Sequence, residues 1–591
     1  MVVWNRAAWA IALLAVFSIA TQCLAQTPPS APAHGKRSQA QKESEPTVSS
    51  LEAEIHEMHS QLQNQIDDLK TELALKEAEV AALQATSRTD IANVTSQVKT
   101  FSDLARQNDA EVDGLKSSVT DLQGREAAVT AGLQQVQSAQ TTMKSNFDEP
   151  FAIHYKGVLI TPGGFLAAES VYRQRALGAD IYTNWNATPY TDAGEAHLSE
   201  WVPSARQSRL SVRADGKLPF GNLTGYFESD FLSAGTTSNN LQSNSYTMRI
   251  RHAWVQASLG NAKFTGGEMF TLLTENKKST DADEEWLPLT TDNNYNVGFT
   301  WVRQAAFRLQ DQVTPQLTVA AALEGSQYQF SASNAPANFF FGSAGAAGGL
   351  NNPDGNYTNE VSPDIVAKIA FDPGYGHFEL GGIARFFRDR YYPSTASASA
   401  QNDTRLGGGF VANARFNVIK KTDVGLHLVA GDGTGRYGVS LLPDITVRPN
   451  GTLAPLRNAQ GLVSLEYHPT RRWDLYGYAG SEYVQRTTYV NSTGTLVGYA
   501  PITANNTGCF AEALPTTGTG YAPGSGTCLG ATRVLIQGTA GWIYRIYSGP
   551  TGKLQYGLAY SYLTREGWAG VGGAPEATNN LVYTSVRYYI P

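Results

Sequence analysis

The sequence predicts an all-β transmembrane barrel of about sixteen antiparallel strands, preceded by a long α-helical coiled coil. Three observations lead there. From about residue 150 to the end, short segments of alternating apolar and polar residues recur. The connections between these segments are short and long in strict alternation. An export signal opens the chain, yet beyond residue 20 no uninterrupted apolar run of about 18 residues is available to cross a membrane as a helix.

Residues 1–25 read as a signal peptide. Arg6 supplies the positive region, Ala7 to Ala20 the apolar stretch, and Cys23-Leu24-Ala25 a small-residue cleavage site. Gln22 is a poor residue before a lipidated cysteine, which disfavours a lipoprotein reading of Cys23. Residues 26–50, rich in Pro, Ser, Ala and Gln, read as a flexible linker.

Residues 51–147 lack Pro and carry a heptad seam. It steps four and three from Val94 through Val98, Phe101 and Ala105 to Phe147, with polar seam positions at Asn108, Glu126 and Gln140. Leu51 to Leu69 fits as well, with a stutter between Leu62 and Ile66. Such a stripe needs a partner to bury it, so a self-associating coiled coil over 51–147 is expected. If continuous, its 97 residues would reach about 145 Å, enough for a tether toward the cell wall, with peptidoglycan as a candidate partner. Gly114, Gly124 and Gly132 are where it would break or fold back.

Residues 151–591 supply the barrel. In the last strand Val582, Thr584, Val586, Tyr588 and Ile590 share one face, opposite Tyr583, Ser585, Arg587 and Tyr589. Strands are expected near 163–172, 208–217, 222–231, 246–259, 262–270, 298–309, 316–330, 363–371, 376–389, 405–417, 422–431, 460–468, 472–485, 532–546, 553–564 and 580–590. The short connections hold turn residues, such as Leu218-Pro219-Phe220-Gly221 and Asp372-Pro373-Gly374-Tyr375. The long ones (173–207, 271–297, 331–362, 432–459, 486–531) are rich in Asn, Gly, Ser and Thr. Outer-membrane lipid is therefore the expected surrounding, because an open sheet edge cannot stand in hydrocarbon.

A barrel of that size encloses water, so chemistry lies in the lumen-facing charges. Parity puts Arg209, Arg213, Arg249, Arg251, Arg308, Lys368, Arg385, Arg415, Arg545 and Arg587 inside, against Asp215, Glu228, Asp230, Glu324, Glu379 and Glu466. This basic surplus stands in a chain that is acidic overall, 45 Lys+Arg against 52 Asp+Glu. Arginines on neighbouring strands can coordinate carboxylate or phosphate groups and raise local anion concentration. Alternatively they pair with Glu228 and Asp230 and only stiffen the wall. Arg303 falls on the outward face, unexplained except by a bulge or a protomer contact. The 271–297 connection, with Lys277, Lys278, Asp281, Asp283, Glu284 and Glu285, either folds into the channel or stays a solvated loop.

Other chemistries find little support. The acidic balance does not suit nucleic acid. Asp281-Ala282-Asp283-Glu284 lacks the ligand spacing of an EF-hand, and His56-Glu57-Met58-His59 is not the zinc-protease spacing. The Gly-rich 431–438 segment has no βαβ unit around it and reads as an ordinary barrel loop. No nucleophile elbow or Ser/His/acid constellation appears, so no enzyme, metal or cofactor is expected. Cys509 and Cys528 suit a disulfide in an exported polar loop.

The stretches Arg206-Gln207-Ser208-Arg209-Leu210, Gly225-Tyr226-Phe227-Glu228-Ser229-Asp230-Phe231, Met248-Arg249-Ile250-Arg251-His252-Ala253-Trp254-Val255 and Gly266-Gly267-Glu268-Met269-Phe270 are similar to the DcaP-like family of trimeric outer-membrane porins. That resemblance implies a sixteen-stranded homotrimer with an N-terminal periplasmic coiled coil, passing small anionic solutes such as dicarboxylates. The chain departs from outer-membrane barrels in general by ending Tyr588-Tyr589-Ile590-Pro591 rather than on an aromatic residue. Three readings follow: a passive anion channel, an envelope tether, and an adhesin. The last is disfavoured, since the helix precedes the whole barrel.

Overall fold

A computed structural model describes residues 152–233, 247–341, 343–344, 356–357, 360–512, 514 and 528–591, together with seven residues between 116 and 126. The expected signal peptide and linker, and nearly all of the heptad segment, lie outside the described residues. Those seven (Lys116, Ser117, Thr120, Asp121, Gln123, Gly124 and Glu126) are helical and exposed, and Gly124 does not break the helix locally. They belong to a unit separate from the body that starts at Ile153.

That body is a closed antiparallel barrel of sixteen strands. They are β1 (Val158–Arg173), β2 (Arg209–Leu218), β3 (Gly221–Asp230), β4 (Arg249–Leu259), β5 (Ala262–Phe270), β6 (Arg303–Thr314), β7 (Leu317–Glu324) and β8 (Asp364–Phe371). The second half comprises β9 (Gly376–Tyr391), β10 (Gln401–Ile419), β11 (Thr422–Asp432), β12 (Arg457–Thr470), β13 (Trp473–Val484), β14 (Thr532–Gly549), β15 (Gly552–Gly567) and β16 (Glu576–Tyr589). Each strand pairs with the next. The last pairs back to the first from Phe165↔Tyr589 to Arg173↔Leu581, so no edge is left. Tight turns close one end: Gly260, Gly374 and Lys421 take φ of 63°, 97° and 70°, the left-handed region such turns need.

Polarity runs opposite to that of a water-soluble sandwich. Large apolar side chains on the outward face stand exposed, with Leu166 at 56%, Phe307 at 61%, Leu380 at 61% and Leu406 at 68%. The inward neighbours are buried and polar: Glu169, Arg308, Glu379, Gln460 and Ser585 are all below 7%. A surface of this kind finds a favourable solvent only in hydrocarbon. Near the tight turns, Trp473 packs against Trp542 and Tyr544, and Phe378 against Tyr375 and Phe416, as in an interfacial aromatic girdle. No described helix is long and apolar enough to cross a membrane; the strands provide the crossing.

Two expected strand limits are corrected. Residues 298–302 are not the start of a strand but the end of an inward loop, because Gly298 (φ 91°) presses its backbone against Gly461 of β12. Likewise β7 ends at Glu324, and the residues beyond turn inward to bond Asp444 and Ile445 through Gln329.

Candidate functional site

On β2, β3 and β4, alternation places Arg209, Arg213, Glu228, Asp230 and Arg249 on the inner face. A bulge does more: Glu228 lies opposite His252 and Ser229 opposite Ile250, leaving Arg251 as the extra residue. Arg251 and His252 are consequently both buried inside, at 1% and 5% exposure.

These charges form a chained lattice. Arg249 donates Nε to Asp230 Oδ1 at 3.0 Å and Nη2 to Oδ2 at 2.8 Å. Arg251 donates Nε to Glu228 at 2.7 Å and Nη1 to Asp230 at 3.1 Å. Arg209 lies 3.4 Å from Glu228, and Arg213 lies 2.8 Å from Asp215 and 2.5 Å from Asp283. Charge-assisted bonds of this kind hold side chains in one geometry and offset the desolvation of the buried members.

The remaining candidates sit around the same lumen but brace the segments folded into it. Arg308 donates to the carbonyls of Thr280 and Phe270 at 3.0 and 2.7 Å. Arg385 pairs with Asp364 and Asp444 at 3.0 and 2.9 Å. Arg415 pairs with Glu275 at 2.8 Å and lies 3.8 Å over the Trp286 ring. With Arg308, Arg385 and Arg251 at 1% exposure or less, these three brace packed structure rather than face open space.

The loop 271–302 folds into the barrel and crosses it. It docks on lumen-facing side chains from widely separated strands. Leu272 N donates to Glu324, Asn276 N to Glu379, Leu289 N to the Tyr478 hydroxyl, Val297 N to Gln537 and Gly298 N to Glu482, all within 2.7–3.1 Å. Two of its acids are spent on pairing: Asp281 with Lys263 and Asp283 with Arg213, both at 2.5 Å. Burial, opposed only in part by Arg308, pushes the Glu285 carboxyl up to about 8. The segment 432–456 joins this plug. Glu482 accepts from Val439 N and Ser440 N at 3.0 Å each, so one carboxylate ties both loops down.

Two arginines were missed as interior groups. Arg303, expected outside, opens β6 at its rim, where the β4–β5 ladder has stopped at Ala253↔Glu268. With no neighbouring wall there, its guanidinium stacks on Trp301 and Phe270 at 5.0 and 5.7 Å. Arg436 sits in the Gly-rich segment, in a buried turn, Gly435–Tyr437. Parity rules cover neither a strand end nor a loop, so no sequence signal marked them. In the 486–531 connection Cys509 and Cys528 are disulfide-bonded, with S–S 2.08 Å.

No protein-family profile matches the chain, and no curated protein matches it. Among solved structures it is similar to the outer membrane channel DcaP of Acinetobacter baumannii. Identity is 14%, covering 74% of this chain and 99% of that one, with a TM-score of 0.52. The anion-selective porin of Comamonas acidovorans matches at 11% identity over 73% of this chain and all of its own, with a TM-score of 0.39. The outer membrane protein OmpT of Vibrio cholerae matches at 10% identity over 74% and 99%, with a TM-score of 0.39. The first of these shows a shared fold: the body has the architecture of an outer-membrane channel barrel.

Proposed function

We propose that the chain is an outer-membrane porin through which small hydrophilic, anionic solutes diffuse passively, and that it works as a homotrimer. The observation behind the membrane part is the reversed polarity of the wall, apolar outside and charged within. The anion preference rests on which member is exposed in the five lumen pairs that reach solvent through their arginine. Arg249 is 27% exposed against 1% for Asp230, Arg209 19% against 9% for Glu228, and Arg545 26% against 3% for Asp474. Arg587 and Arg415 likewise outreach Glu169 and Glu275. In these five pairs the acid lies beneath its arginine, so they present a positive face to a passing solute. Arg213, 43% exposed, reaches furthest.

Reversal potentials across planar bilayers test this reading. Wild-type protein should favour chloride over potassium, and Arg213→Ala with Arg249→Ala should move the ratio toward cations. Unchanged potentials in the double variant reject the arginine lining.

A further inference from the structure

At the rim away from the tight turns, a cavity of about 300 Å³ lies where the β4–β5 ladder has ended, lined by Arg249, Glu268, Arg303 and Arg436 among others. Its charges do not balance. Arg249 is neutralised by Asp230. Neither Arg303 nor Arg436 lies within ion-pair distance of a carboxylate among the described residues, and Glu268 is the one acid in the lining. Two guanidiniums minus one carboxylate leaves +1.

Their hydrogen bonding is incomplete too. Arg436 is only 9% exposed and uses Nη2 on Gln304 at 2.7 Å, while its Nη1 is buried without a partner. Arg303 has Nε and Nη1 buried without partners. Three unanswered guanidinium nitrogens are costly unless an oxyanion meets these side chains. Apart from the amides of Asn294 and Gln329, the rest of the lining is mostly aromatic and aliphatic, with Tyr182, Trp301 and Val439 beside the charges. Such a mixed wall suits a ligand with one anionic head and a compact apolar body, and the volume suits a small one.

We infer that Arg303 and Arg436 form a discrete binding site for organic monocarboxylates at this rim, a saturable stop ahead of the passage. The inference rests on the anion-channel reading and deepens it. A single carboxylate cancels the +1, whereas a dicarboxylate would bring a second charge against Glu268 and the apolar wall.

The test uses the full-length protein in detergent, titrated calorimetrically with benzoate. Wild type should bind saturably, one benzoate per protomer. Arg303→Gln and Arg436→Gln should each weaken binding about tenfold or more, the loss of a charge-assisted hydrogen bond. Glu268→Gln should tighten it. Heat-modifiable migration on gels confirms that each variant is folded. Absence of saturable binding, wild-type affinity in either arginine variant, or tighter binding of succinate than of benzoate overturns the inference. Chloride selectivity of the same variants separates the two readings. A cation-selective wild type refutes the channel proposal, while the titration still decides the site.

Discussion

Asp230 accepts both hydrogen bonds of the Arg249 fork, at 3.0 and 2.8 Å, from the residue directly opposite it in the β3–β4 ladder. The same carboxylate also takes Arg251, the unpaired bulge residue two positions on. One acid at 1% exposure thus fixes two guanidiniums on the adjoining strand, one reaching open space and one packed against the inward loop through Asn293.

Removing that acid should uncouple the two arginines. Asp230→Ala leaves Arg251 buried with a single carboxylate and should destabilise the barrel by about 3 kcal/mol or more, the cost of breaking a buried pair from one side. It should also free Arg249 and raise anion selectivity. Thermal unfolding followed by gel migration, and bilayer reversal potentials, measure the two effects.

Glu482 is the shared anchor of two inward segments. Glu482→Ala strips the acceptor from the amides of Gly298, Val439 and Ser440. Each buried unsatisfied amide costs about 1–3 kcal/mol, enough to unseat both loops. Single-channel conductance should rise with the barrel still folded. An unchanged conductance would show that the loops hold without it.

Gly298 tests the same seat by sterics. A Cβ there would stand 2.0 Å from the Gly461 carbonyl oxygen, and φ of 91° is strained for any side chain. Gly298→Ala should therefore displace the end of the loop and increase conductance noise and mean conductance, read from the same bilayer traces. Gly225→Ala, where an added Cβ meets nothing within 4 Å, serves as the control.

Loop seating should depend on pH. Glu285 faces Arg308, Lys368 and Asp283, and burial pushes its carboxyl up to about 8. Glu275, facing Arg415, Glu379 and His377, moves to about 7, and Asp292, facing Arg173, to about 6, again through burial. Raised acids are protonated in the seated loop over a range where a released loop has already lost the proton. Seating is then strongest below about 4.5, the ordinary value for Glu, and weakens as pH climbs to about 8. Amide exchange across 271–302, corrected for intrinsic rates, should accelerate over that window. Glu285→Gln should remove its upper part.

The sequence alone determined the strand count, the even closure, the position of nearly every tight turn and the inner face of most strands. It could do so because a lipid-facing wall forces a period of two onto every strand and leaves no edge to choose. Arg209, Arg213 and Arg249 were legible for that reason. Only the tertiary structure decided which charges remain available: Arg251, Arg308 and Arg385 are consumed in bracing, while Arg303 and Arg436 line the rim cavity. Parity records which way a side chain points, but not what a loop arriving from across the barrel places against it. That partner lies tens to hundreds of residues away, as Gly298 does from Glu482, and its contact is set by closure of the whole cylinder.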